Sequence, residues 1–132
     1  MEQGTKQFRK RNAILACVKC TDTHPSADWV HAQLKAEYPD ISLGTVYRNL
    51  SLFKQQGLIA SLGTVNGIER FDGNTSPHVH FICTSCDSVS DLPQMAVPQA
   101  LSSEAAAQAG GQVDACQLTF TGTCNRCCSK NL

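Results

Sequence analysis

The chain has 132 residues, with 11 Lys or Arg balanced by 11 Asp or Glu, four His and eight Cys. That length allows one ordinary domain or two small ones, and a small lobe buries so little apolar surface that it needs a further staple. The N-terminal stretch MEQGTKQFRKRNAIL has no apolar signal core and no run of the chain can span a bilayer, which speaks against a secreted disulfide scaffold and a membrane protein, and for a cytoplasmic one.

The zero net charge hides a split. Residues 1–57 carry eight basic against five acidic side chains, and residues 58–132 carry three against six. A front half of net positive charge suits approach to a polyanion, although its field is modest.

In chain order, residues 7–20 place Phe8, Ile14, Leu15 and Val18 at helical spacing, with Arg9, Lys10 and Arg11 in the first turns. A second helix starts behind Ser26 as N-cap, carries Trp29, Val30, Leu34 and Tyr38 as its apolar stripe, and stops at Pro39. A third begins at Ser42, turns Val46, Leu50 and Phe53 inward, and closes near Gly57. Asn66-Gly67 then favours a type I′ turn between two strands, because both residues accept positive φ. Three helices and a hairpin make a winged helix-turn-helix, expected over residues 1–70.

Residues 71–77 (FDGNTSP) are rich in turn formers and are the expected hinge. Residues 78–132 follow as a small α/β domain: a strand, a cysteine knuckle and a second strand in HVHFICTSCDSVSDL, a helix in PQALSSEAAAQA, and a last strand in QVDACQLTFTGTC. The fold class is α+β.

In a helix-turn-helix the third helix enters the major groove of double-stranded DNA, with its N-terminal side chains near base edges and its flanks on phosphate. Ser42, Thr45, Tyr47 and Arg48 are the outward candidates. Tyr47 suits a thymine methyl, Arg48 a guanine edge or a phosphate, and Ser42 and Thr45 the backbone oxygens. The plainer reading is an amphipathic helix with a solvated face.

Cys83-x-x-Cys86 and Cys124-x-x-Cys127 point to chemistry more directly. In a reducing compartment such pairs are more often metal ligands or redox groups than structural disulfides. Two tight knuckles whose sulfurs converge suit a closed tetrahedral zinc of structural kind. A redox C-x-x-C is the rival reading, favoured only where one pair opens a helix of a thioredoxin-like unit. Cys17 and Cys20 form a third x-x pair on a predicted helix, where small buried residues are the simpler expectation. Cys128 has no evident role.

His78 and His80 alternate onto one face of a strand and can share one ion; a nitrogen and oxygen set with nearby aspartates suits iron, manganese or zinc. Asp72 and Asp91 flank them but are individually uninformative. His24, next to Pro25, reads by itself as a surface or capping histidine.

HPSADWVHAQL, SLGTVYRNLSLFKQQGLI, RFDGNTSPHVHFICTSC and LTFTGTCNRC stand in the order and spacing of the ferric uptake regulator family of metal-dependent repressors, which the chain resembles over nearly its full length. The resemblance implies a regulator rather than an enzyme: a homodimer with a winged-helix domain, a dimerisation domain, and a structural zinc on Cys83, Cys86, Cys124 and Cys127. It also implies a regulatory iron or manganese at the hinge on His24, Asp72, His78, His80 and Asp91. Aspartate at position 91 is similar to the peroxide-sensing branch, where iron-uptake regulators typically have glutamate.

By that analogy ferrous iron with hydrogen peroxide oxidises a ligand ring, and His24 and His78 match the oxidised histidines; manganese fills the site without this chemistry. Loss of a ligand then loosens the lobes and releases operator DNA. The alternatives are a reversible iron- or zinc-responsive repressor of metal-uptake genes and, remotely, a thiol-disulfide oxidoreductase. Three departures from the family are expected: most of a further N-terminal helix is missing, Cys116 stands in place of a histidine of an additional metal site, and the Ala-rich stretch before the last strand reduces the dimer interface.

Overall fold

The computed structural model describes residues 2–130, with side chains for residues 6–129. Its elements are α1 (Glu2–Lys19), α2 (Ala27–Leu34), α3 (Leu43–Gln55), β1 (Ala60–Val65), β2 (Ile68–Asp72), β3 (Val79–Cys83), β4 (Val89–Asp91), α4 (Gln99–Ala109), β5 (Leu118–Gly122) and α5 (Asn125–Lys130). The chain divides into two compact units, Met1–Thr75 and Ser76–Leu132.

In the first unit the cap signals act as expected. Ser26 accepts a hydrogen bond from the Trp29 N–H at 3.2 Å and Ser42 one from the Thr45 N–H at 3.1 Å, each satisfying an amide that the first helical turn leaves open. Helix α3 ends in a left-handed cap: Gly57 has φ 75°, the Leu58 N–H donates to Phe53 O at 2.9 Å, and the Gly57 N–H donates to Lys54 O at 3.1 Å. Val46, Leu50 and Phe53 are buried, and they meet Ile14, Val18, Val30, Leu34, Ile41, Ile59 and Phe71 in one core.

Several details depart from expectation. Phe8 is 61% exposed, so the apolar face of α1 begins only at Ala13 and Ile14. Helix α2 ends at Leu34 rather than at Pro39, and the intervening residues form turns in which the Tyr38 N–H donates to Leu34 O at 2.9 Å. Proline disfavours helix at the residue before it, and this run of turns absorbs the restriction.

The hairpin turns at Asn66 (φ 52°) and Gly67 (φ 81°), both positive as a type I′ turn requires, and its ladder carries a bulge between Ser61 and Gly63. Strand β2 runs through Phe71, where the expected strand and the expected hinge overlap, and continues to Asp72, which was expected in the hinge alone. Phe71 belongs to the strand because its ring fills the core and its N–H donates to Pro25 O at 2.8 Å.

Just past β2 the chain runs against the end of α1. A Cβ at Gly73 would stand 2.7 Å from Lys19 Cα and 2.9 Å from Val18 O, both backbone atoms that no side-chain rotation can clear. Gly73→Ala is therefore expected to lower the stability of this unit by about 1–3 kcal/mol, read as a lower urea midpoint.

The second unit is built on a three-stranded sheet in the order β4-β3-β5, with β4 antiparallel and β5 parallel to β3. Its buried residues are few: Val79, His80, Cys83 and Val89. Helix α4 buries none of its residues, and Met95, Leu101 and Phe120 are exposed. The last strand is confined to residues 118–122, shorter than the alternating pattern suggested, and α5 was not expected because NRCCSK has no apolar period. Among the described residues no helix is long and apolar enough to cross a membrane.

Candidate metal centres and nucleic-acid interface

The parallel pairing of β3 and β5 sets Cys83 opposite Gly122, so both cysteine knuckles emerge at the same end of the sheet. The Thr84 N–H and hydroxyl both donate to Gly122 O, at 2.8 and 3.1 Å, and tie the first knuckle to the second. The first reverses through Asp87 at φ 61°, with its N–H on Cys83 O at 2.9 Å. The second opens α5, where the Cys128 N–H donates to Cys124 O at 2.8 Å.

The Sγ atoms of Cys83, Cys86, Cys124 and Cys127 all lie within 4.8 Å of one another, and those of Cys86 and Cys124 are 3.8 Å apart. A tetrahedron with metal–sulfur distances of about 2.3 Å has edges of about 3.8 Å, so the cluster has the size of a zinc site.

Its electrostatics agree. The neighbouring Ser88 hydroxyl and N–H hold Cys86 down to about 6, while hydrogen bonding to Cys124, followed by burial and the other two sulfurs, pushes Cys127 up to about 12. The Cys124 N–H donates to Cys83 Sγ at 3.3 Å and is the main cause that lowers the Cys83 thiol. Four thiolates this close need a cation to neutralise them at neutral pH. Cys128, exposed, turns its thiol toward Thr123 O at 3.6 Å instead.

The nitrogen and oxygen donors fall in both units. In the first, His24 is 2% exposed and does not cap α2, a role that Ser26 fills, so the capping or surface reading is corrected. Its backbone takes φ 55°. Strand β2 pins it there: Arg70 Nε donates to His24 O, Arg70 Nη2 donates to Thr23 O at 2.8 Å, and the Phe71 N–H holds Pro25 O. The next residue, Asp72, is also buried, with Oδ2 3.5 Å from His24 Nε2 and Oδ1 accepting the Asn74 N–H at 2.9 Å.

In the second unit, His80 pairs across the strands with Asp91. Asp91 Oδ1 lies 3.3 Å from His78 Nε2 and 3.5 Å from His80 Nε2, and the two rings have centroids 4.2 Å apart. His78 Nδ1 donates to Ser76 O at 2.7 Å, which leaves Nε2 as its lone-pair donor toward the cluster. Two imidazoles and one carboxylate converging on a point are a donor set suited to ferrous iron or manganese.

On α3, Tyr47 is 46% exposed and Ser42, Thr45 and Arg48 form a chain of contacts: Ser42 Oγ to Thr45 Oγ1 at 2.9 Å and Arg48 Nη2 donating to Thr45 Oγ1 at 3.1 Å. Between α1 and α3 runs a groove of about 340 Å³ lined by Gln7, Lys10, Arg11, Thr45, Arg48, Asn49 and Leu52. The contribution of Gln7, Lys10 and Arg11 was missed in the sequence, where the basic run in α1 was the available signal. Lys10 is partly committed to Asp40 at 3.0 Å, which holds that carboxyl below its ordinary value.

The Bacillus subtilis "Peroxide operon regulator" is 33% identical over 129 residues, spanning 98% of this chain and 88% of that protein. The Staphylococcus aureus "Peroxide-responsive repressor PerR" is 33% identical over 131 residues, 98% of this chain and 86% of that one. Among solved structures, the Campylobacter jejuni peroxide stress regulator superposes with a TM-score of 0.80 at 27% identity, covering 96% of this chain and 94% of that one. The profile of the ferric uptake regulator family matches residues 2–121. With that match and these relatives, the chain belongs to the ferric uptake regulator family, whose members regulate transcription and are not enzymes.

Proposed function

We propose that this protein is a homodimeric, metal-dependent repressor of cytoplasmic location that binds operator DNA and senses hydrogen peroxide through oxidation of His24 or His78. The observation that carries this reading is the cluster of His78, His80 and Asp91, a two-imidazole, one-carboxylate set of a kind that holds redox-active iron. The names of the two curated relatives, both peroxide regulators, support the same sense.

In this reading Cys83, Cys86, Cys124 and Cys127 hold zinc, which keeps the second unit folded. His24, Asp72, His78, His80 and Asp91 hold the regulatory ion together, and residues 71–77 act as the hinge between residues 1–70 and 78–132. When bound, ferrous iron would supply the redox chemistry that opens the O–O bond of peroxide. The ring of His24 or His78 would give up two electrons and take up one oxygen, the other leaving as water, and would cease to be a ligand. Ser42, Thr45, Tyr47 and Arg48 contact DNA, and the exposed Leu101 and Phe120 of the second unit favour its covering by a second subunit.

The test is mass spectrometry of iron-loaded protein before and after brief peroxide, with manganese-loaded protein as control. A gain of about 16 Da on a peptide containing His24 or His78, with iron only, is the expected result. Oxidation confined to cysteine would overturn the peroxide reading. Unchanged operator binding by the peroxide-treated iron form would select a reversible metal-responsive repressor instead.

A further inference from the structure

Cys17 and Cys20 stand one helical turn apart at the C-terminal end of α1, a pair that neither metal centre uses. Side chains at this spacing have Cβ atoms about 5–6 Å apart, against about 3.5–4.5 Å in a disulfide. Inside a helix the backbone would resist closing that gap. Cys20, however, lies beyond the last helical residue, Lys19, and its N–H bond to Ala16 O at 2.9 Å is the final one of the helix.

The two thiols differ in environment. Cys20 is exposed, whereas Cys17 is half-buried against the helical core. Burial and then the charge of Cys20 push the Cys17 thiol up, and the exposure of Cys20 makes it the thiol a peroxide meets first.

The turn that carries them is also the one packed against Gly73. The Lys19 backbone leaves no room for even a methyl group there, and Lys19 Nζ donates to Gly73 O at 3.2 Å. Gly73 directly follows Asp72, the buried carboxylate beside His24.

We propose that Cys17 and Cys20 are a redox-active dithiol that a hydroperoxide closes to a disulfide, and that closure shifts the last turn of α1 against Gly73 and thereby moves Asp72. The Cys20 thiolate attacks the peroxide, breaking the O–O bond and leaving a sulfenic acid and hydroxide, or an alkoxide from an organic hydroperoxide, which takes up the proton the thiol had lost to become water or the alcohol. The Cys17 thiol then attacks that sulfur, the S–S bond forms, the S–O bond breaks and the sulfenic oxygen leaves as water. Two thiols are oxidised and one hydroperoxide is reduced, without any metal. The effect on ion binding rests on the reading of Asp72 as a ligand; disulfide formation does not.

Zinc-containing, manganese-loaded full-length protein, in which iron-dependent histidine oxidation is silent, is treated with hydroperoxide and digested with trypsin without reductant. Cleavage after Lys19 places the two cysteines on separate peptides, residues 12–19 and 20–35, so the disulfide appears as a linked pair about 2 Da lighter than the two alone. Manganese affinity is expected to fall about tenfold and to recover with dithiothreitol. Cys20→Ser, at an exposed position, abolishes both effects and leaves the reduced protein's affinity unchanged.

Recovery of both peptides unlinked and alkylated would overturn the proposal, as would a linked pair with undiminished manganese affinity. Asp72→Ala separates the two readings: unaltered affinity in that reduced variant removes Asp72 from the ligand set, while the linked pair still reports on the dithiol.

Discussion

Cys124→Ser is expected to abolish stoichiometric zinc retention and to unfold the second unit while the helical unit persists. The second unit buries few side chains, and its helix α4 buries none, so apolar burial alone cannot offset the entropy of ordering it. Structural zinc supplies about 10 kcal/mol or more in small modules of this kind. The Sγ of Cys124 sits at tetrahedral spacing from that of Cys86, whereas its backbone N–H, which donates to Cys83 Sγ, is kept by serine, so the variant removes the ligand alone.

Protons compete with the ion for these sulfurs. Cys127, pushed up to about 12 without a cation, must lose its proton for zinc to bind, so affinity falls as pH falls and chelators strip the ion more readily in acid. Elemental analysis and a two-phase thermal melt measure both effects. Full zinc content in the variant would exclude Cys124 as a ligand, and loss of zinc with an unchanged melt would remove the zinc from its structural role.

Asp91→Ala is expected to weaken the regulatory ion by at least about 100-fold and, with it, metal-dependent operator binding. A single oxygen, Oδ1, faces both His78 and His80, and its loss removes the one carboxylate of their own unit and leaves Asp72 as the set's remaining negative charge. Asp91→Glu restores the charge and should restore the ion. Manganese titration followed by calorimetry reads the loss, and retained zinc shows that the fold survives. Unchanged manganese affinity in the alanine variant would exclude Asp91 as a ligand.

Much of the architecture was legible because it is local. Ser26 and Ser42 announce helix starts, Gly57 a stop and Asn66-Gly67 a turn, since each meets a backbone requirement within a few residues of itself. The inward face of α3 followed from its period. Phe8, the early end of α2 and the extension of β2 through Asp72 were not legible, because each depends on which distant residues fill the core.

The same division holds for the chemistry. The amino-acid order alone determined that eight cysteines include two knuckles of zinc spacing and that two histidines share a strand face, because x-x pairs and strand alternation are properties of a short window. Only tertiary structure decided that the knuckles meet, through the parallel β3–β5 pairing with Cys83 opposite Gly122. It also decided that His24 is a buried partner of Asp72 rather than a surface histidine, since Arg70 and Phe71 of β2 hold its loop from across the chain. Strand register and long-range hydrogen bonds join residues that no sequence window contains, so they follow from how the whole chain packs.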